Sequence, residues 1–214
     1  MIDCITCETA HLFGDAIASQ HRLRYKVFIQ QQGYDVPSYR GMEFDQFDTP
    51  AATYLTYRDK QGVVRAVTRV SPTSMPYMLE EVFSDMVTFA PLVKSDRIWE
   101  GTRLAVDPDL PDAERARVVG EMMCGYLEFG IREGIDEFYI LMPVALQTIL
   151  MERTGWPVTV LGETRMIGGE AVRAVAPKVS PEILARVRGK LGITYSVLQT
   201  ADDLAAVETQ EKVA

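Results

Sequence analysis

The chain has 214 residues, 47% of them hydrophobic and 24% charged, the balance of a soluble globular protein that can bury a core without metal or disulfide staples. Its net charge of −8 excludes a general nucleic-acid binder, which needs a basic face, so any anionic partner must meet a local cluster of Lys and Arg. No run of about 18 apolar residues is long enough to cross a membrane; the opening MIDCITCETAHLFGD carries no basic segment before an apolar one and does not read as a signal peptide.

Three cysteines give no disulfide framework, which predicts a reducing, cytoplasmic setting. Cys4-x-x-Cys7 has no second pair, and His11 and His21 stand ten apart, so no metal set forms and the cysteines read as small buried residues. Met1–Cys4 is expected as a short edge strand. From His11 to Gln32 the pattern turns helical, with Leu12, Ala16, Leu23 and Val27 on one face and Gly33 as the stop. Residues 33–52 read as a long loop whose aromatics, Tyr34, Tyr39, Phe44 and Phe47, point to packing and to function.

Thr53–Arg58 and Val63–Val70 flank Asp59-Lys60-Gln61-Gly62 as a hairpin. Tyr77–Phe83 is expected as a short helix carrying Met78, Leu79 and Val82, and Ile98–Val106 as a central strand despite Gly101. A long amphipathic helix is expected from Asp112 to Glu133, its stripe formed by Val119, Met122, Met123 and Tyr126. Glu137–Met142 reads as a strand and Val144–Thr154 as a helix. Val158–Leu161 and Glu170–Val175 form a strand pair around Gly168-Gly169, and Ser180–Leu191 a closing helix. Beyond Gln199 the composition is that of a frayed tail. One domain over residues 1–199 with a flexible tail at 200–214 is expected. Hairpins give antiparallel neighbours and strand–helix–strand crossovers parallel ones. The order therefore predicts an α/β fold, a three-layer α-β-α sandwich with a mixed sheet, similar to the N-acetyltransferases.

Three clusters carry candidate chemistry. Arg24 and Phe28 are four apart on the first helix and share a side. Glu43, Asp45 and Asp48 alternate with Phe44 and Phe47; carboxylates so close repel unless a cation or donor sits among them. In Trp99-Glu100-Gly101-Thr102-Arg103, alternation puts Glu100 and Thr102 on one strand face and Arg103 on the other. The glycine between them marks a bulge or a close approach. A solvated helix face, a solvated loop and a buried Glu–Arg pair are the plain alternatives.

In order along about ninety residues, RLRYKVF (Arg22–Phe28), MEFDQFDTPAATYL (Met42–Leu55), Arg69, PYMLEEVF (Pro76–Phe83) and WEGTRLAVD (Trp99–Asp107) resemble the acyl-homoserine-lactone synthases, the autoinducer synthases of bacterial quorum sensing. The likeness fades after Trp156. It implies an N-acetyltransferase-like fold, S-adenosylmethionine as amino donor and acyl carrier protein or acyl-coenzyme A as acyl donor. Both are substrates, and no cofactor is implied. It also implies signature positions at Arg24, Phe28, Asp45, Asp48, Arg69, Glu100 and Arg103. Tyr34 stands where the family usually has tryptophan and Leu104 where phenylalanine is common.

By that reading Glu100 is the catalytic base, and Arg24, Phe28, Tyr34, Asp45, Asp48, Arg69, Phe83 and Arg103 bind S-adenosylmethionine. Thr102, Met122, Met123, Tyr126, Leu141, Met142 and Leu146 are expected to line the acyl pocket. Met142 and Pro143 occupy the stretch where the family reads a 3-oxo group with a hydroxyl, which implies an unsubstituted chain. Arg153, Lys178, Arg186, Arg188 and Lys190 form the expected patch for an acidic carrier protein. The competing reading is a coenzyme A-dependent N-acetyltransferase using Arg117-Val118-Val119-Gly120-Glu121-Met122, a partial match lying inside a helix. A non-enzymatic binding protein would have lost Glu100 or the Asp45/Asp48 pair, and neither is lost.

Overall fold

Two kinds of connection build the sheet, and their difference sets the site. Hairpin-joined strands give antiparallel neighbours, whereas a helical crossover leaves two parallel strands free to diverge. The computed structural model describes residues 1–203. In it, β1 (Ile2–Ile5), β4 (Thr53–Arg58), β5 (Val64–Pro72) and β6 (Ile98–Val106) form an antiparallel run. The helix α3 (Asp112–Arg132) then carries the chain across to β7 (Glu137–Pro143), which pairs parallel to β6. Beyond β7, which runs on into the short helix α4 (Val144–Gln147), come β10 (Glu170–Pro177) and β8 (Val158–Val160), while β11 (Leu198–Gln199) closes the opposite edge against β1.

Strand alternation splits the core into layers. Leu55 packs with α3 and α5 (Pro181–Leu191) on one side, while its neighbour Tyr54 packs with α1 (Ala16–Arg24) on the other. A third cluster, around Leu79 of α2 (Met78–Glu81) and Tyr139, lies over β7 and β10. The result is the expected mixed sheet between helical layers. Helix ends follow local chemistry: Ser180 Oγ accepts the Ile183 N–H at 3.2 Å, Pro181 opens α5, and Gly192 at φ +70° ends it. Among the described residues, no helix is long and apolar enough to cross a membrane.

Several expectations shift. The helix expected from His11 is broken at Gly14 (φ +57°), which leaves Leu12 half exposed outside the apolar face. After Arg24 the winding loosens to a π-helical stretch, Tyr25–Gln31, before Gly33. The loop 33–52 contains a small ribbon, β2 (Ser38–Tyr39) with β3 (Met42–Glu43), and buries Phe47 while Tyr34, Tyr39 and Phe44 stay exposed. β1 is an inner strand because β11 covers it. Val82 is exposed, and Gly168-Gly169 turns a further strand, β9 (Arg165–Ile167), into β10. Cys7 is exposed and Cys4 half-buried, so only Cys124 fits the buried reading. Of the expected tail, Thr200 is buried and donates to Asp203; residues 204–214 lie outside the described residues.

Candidate active site

Six side chains from five segments close a ring of alternating charge. Arg24 Nε donates to Glu43 Oε2 at 2.5 Å, and Arg103 Nε donates to Glu43 Oε1 at 3.1 Å. Arg103 also meets Asp45 at 2.7 Å, Arg69 donates to Asp45 at 2.6 Å and to Asp48 at 2.9 Å, and Arg24 grips both Asp48 oxygens at 2.7 and 2.9 Å. Five of the six side chains are at most 9% exposed. Arg103, at 16%, is the outermost. Burial of the Asp48 carboxyl favours its neutral form, but the Arg24 and Arg69 guanidiniums outweigh this and hold its pKa well below the usual range. Backbone fixes the acids too: Asp45 N–H donates to Asp48 and Phe47 N–H to Asp45, each at 2.9 Å. The mutual repulsion that the sequence implied for three neighbouring carboxylates is relieved here by three guanidiniums.

A bulge sets the ring's outer member. Val67 faces Ala105 and Arg69 faces Thr102, so Thr68 alone opposes Arg103 and Leu104. Arg103 takes φ +55°, a conformation uncommon outside glycine. This turns its side chain to the same cavity as Glu100 and Thr102, against the simple alternation expected from the strand. The bulge falls at 103–104 rather than at Gly101.

Glu100 differs from the ring. It is 4% exposed and, among the described residues, accepts only from backbone N–H groups, those of Met78 at 3.0 Å and Leu79 at 2.5 Å. Burial dominates, and the carboxyl is pushed up to about 7. Beside it, the β6–β7 ladder ends at the Glu100–Tyr139 pair and the strands part. Two cavities flank this gap. The larger, about 580 Å³, carries Asp45, Phe47, Leu79, Phe83, Glu100 and Arg103 on its walls. The smaller, about 350 Å³, is walled by Phe28, Met123, Tyr126, Leu146, Leu150 and Trp156 among others. Tyr34, Thr102, Arg103, Leu141 and Met142 border both.

The expected residues therefore fall into layers. Glu100, Tyr34, Asp45, Phe83 and Arg103 line the larger cavity, but Arg24, Arg69 and Asp48 lie behind it in the ring, and Phe28 lies on the smaller cavity beneath the Arg103 guanidinium at 5.6 Å. Of the acyl-pocket set, Thr102, Met123, Tyr126, Leu141, Met142 and Leu146 line the smaller cavity. Met122 does not; one helical step from Met123, it is buried in the α3 core. Sequence reasoning did not assign Glu43 a place in the site, although its spacing with Asp45 and Asp48 was the signal. Ile140, Ile149, Leu150, Met151 and Trp156 were also missed, since cavity-lining apolar residues look like core ones. The carrier patch is partly spent: Lys178 pairs with Glu137, and Arg188 donates to Glu128 at 2.8 Å. Arg153, Arg186 and Lys190 remain exposed.

The coenzyme A motif is not built. Gly120 sits within α3 facing Ile193 and Leu191 of the packed C-terminal segment, not at a helix N-terminus.

A family model described as autoinducer synthase matches residues 10–187. An acyl-homoserine-lactone synthase of Aeromonas hydrophila is 32% identical over 163 residues, covering 72% of this chain and 75% of the relative. Among solved structures, the CoA-dependent acyl-homoserine lactone synthase MesI superposes with a TM-score of 0.82 at 26% identity, covering 92% of this chain and 98% of its own. The fold also matches BjaI, a CoA-dependent acyl-homoserine lactone synthase solved with SAM and isopentyl-CoA, with a TM-score of 0.85, 23% identity and coverage of 94% and 92%. The chain belongs to the autoinducer synthase family and is an acyltransferase of the acyl-homoserine-lactone synthase kind.

Proposed function

We propose that the larger cavity holds S-adenosylmethionine, that the smaller one takes the acyl chain of a thioester donor, and that the substrates meet at Thr102, Arg103 and Leu141–Pro143. One observation carries this reading. Among the described residues, the acidic and basic side chains on the larger cavity's walls are three carboxyl groups, Asp35 at the rim with Asp45 and Glu100 deeper, against one guanidinium, Arg103. S-adenosylmethionine brings an ammonium, a sulfonium and one carboxylate, so an excess of acid with one arginine is its complement. The aromatic and aliphatic walls, Phe47, Leu79 and Phe83, suit the uncharged parts of the nucleoside.

Two bonds follow. The ammonium gives a proton to Glu100, whose displaced pKa suits proton transfer near neutrality. The free amine attacks the thioester carbonyl carbon; the carbon–sulfur bond breaks, the amine's second proton passes to the departing thiolate, and an amide and a thiol remain. Backbone N–H groups on the diverging flanks of β6 and β7 are placed to meet the charge developing on the carbonyl oxygen. The carboxylate, held by Arg103, then attacks the γ-carbon in line with the bond to sulfur. That bond's electron pair stays on sulfur, methylthioadenosine departs and the lactone closes. With Met142 and Pro143 facing the junction, the acyl chain is unsubstituted at its third carbon.

The donor thioester is carried by acyl carrier protein or coenzyme A; Arg153, Arg186 and Lys190 offer the positive charge that an acidic carrier needs. Calorimetric titration tests the cavity's charge match: S-adenosylmethionine is expected to bind at least about tenfold tighter than the thioether S-adenosylhomocysteine, which lacks the sulfonium. Equal affinity defeats the reading. Mass spectrometry of extracts from expressing cells then identifies the acyl group.

A further inference from the structure

One wall of the smaller cavity is a side chain fixed from three sides. Tyr126 of α3 is 3% exposed and lies edge-on to Phe138, at 5.2 Å between centroids, and to Trp156, at 6.3 Å. Its tip enters the gap where β6 and β7 part. A Cβ added at Gly101 would stand 2.7 Å from the phenol oxygen and 3.3 Å from Ile140. That is the physical reason for glycine in an otherwise apolar strand: Tyr126 occupies the space a side chain there would take. Thr68 Oγ1 donates to the Thr102 carbonyl at 2.9 Å and is also hydrogen-bonded to the Tyr126 hydroxyl. Thr68 has one proton to give, so the phenol donates to Thr68 and keeps no donor for a ligand.

We propose that Tyr126 sets the depth of the acyl slot: its ring is the stop against which the chain's terminal carbons rest, and Gly101 and Thr68 hold that stop in place. This inference rests on the reading of the smaller cavity as the acyl site. Depth set by a wedged ring can move either way. Tyr126→Leu removes the stop, while Gly101→Ala drives the ring, already backed by Phe138 and Trp156, into the slot.

The test is a comparison of kcat/KM across saturated acyl thioesters lengthened two carbons at a time, with wild type, Tyr126→Leu, Tyr126→Phe and Gly101→Ala. A methylene in an apolar pocket discriminates by about 10–200-fold. Tyr126→Leu is therefore expected to shift the long-to-short preference at least about tenfold toward the longer donor, Gly101→Ala to shift it the other way, and Tyr126→Phe to leave it in place. A leucine variant that loses activity equally at all lengths, or a phenylalanine variant that shifts as far as leucine, overturns the proposal. If the leucine variant does not fold, the Gly101→Ala shift decides: an unchanged preference overturns it. Wild type that turns over none of these donors sinks the acyl-site reading itself, a result separable from the others.

Discussion

The ring and Glu100 are two ways of burying a carboxylate within one wall, and they have opposite consequences. Glu43, Asp45 and Asp48 are each held between guanidiniums, so their charges are compensated, and the pKa of Asp48 is held well below its usual range. Glu100 is as deeply buried but, among the described residues, is hydrogen-bonded only by two backbone N–H groups, and desolvation dominates its proton affinity. Guanidinium partners fix the charge of Asp48, whereas desolvation leaves Glu100 able to exchange a proton near neutrality. Arg103 joins the two: it completes the ring on one side and faces the cavity on the other.

The contrast breaks most sharply at Glu100. Glu100→Gln keeps the shape and removes the base, and general-base catalysis contributes about 10²–10⁴-fold. Single-turnover amide formation is expected to fall by that factor, while S-adenosylmethionine affinity changes only a few-fold. A variant with near-wild-type turnover moves the proton elsewhere.

Asp48→Asn should do the reverse. It leaves the cavity walls untouched but strands Arg24 and Arg69 without a shared partner. Removing one partner of a buried pair costs about 3–5 kcal/mol, which lowers Tm by roughly 6–20 °C in a chain of this size. Thermal unfolding measures it. Equal melting temperatures would mean that the ring's geometry adds nothing to stability.

These two regions were unequally legible. The types and spacing of the acidic and basic residues pointed to the cluster, because charges so dense need partners, and the strand order fixed by hairpins and crossovers was readable from periodicity. What periodicity does not carry is a break in it. Arg103 was assigned to the wrong face because a bulge with positive φ inverts alternation. Likewise, the split of the expected binding set into wall and backing layers depends on depth, which spacing alone does not encode. Arg24 and Arg103 look alike in sequence, yet one is fully buried and the other lines a cavity. Met122 and Met123 differ by a single helical step and by their entire role.

The pH dependence sharpens the same contrast. Glu100 has a folded pKa near 7 against an ordinary 4.5. Its raised value favours the folded state below about pH 4.5, and this contribution is lost as pH rises through 7. Asp48, displaced downward, contributes above its ordinary 3.8 and is lost only in stronger acid. Between pH 5 and 8 the wild type should therefore lose roughly 5 °C in Tm that Glu100→Gln does not lose. The acyl-transfer rate should rise with unit slope and level near pH 7. Parallel Tm profiles for the two proteins would show that Glu100 is solvated rather than dry.

The smallest effect concerns charge outside both regions. Arg188 cannot test a carrier patch cleanly, because its partner Glu128 also accepts from Val197 and Leu198 and so anchors β11. Arg153 and Arg186 are better placed: Arg153 follows the turn that gives Ile149, Leu150 and Met151 to the smaller cavity, and Arg186 donates to Gly155 O at 3.4 Å just beyond it. Reversing both to Glu should raise KM for acyl carrier protein roughly three- to tenfold, leave kcat in place and flatten the salt dependence. A coenzyme A donor, which presents far less surface, should lose less. Unchanged KM for both donors would make these arginines an ordinary solvated face, leaving the chemistry of Glu100 and the ring untouched.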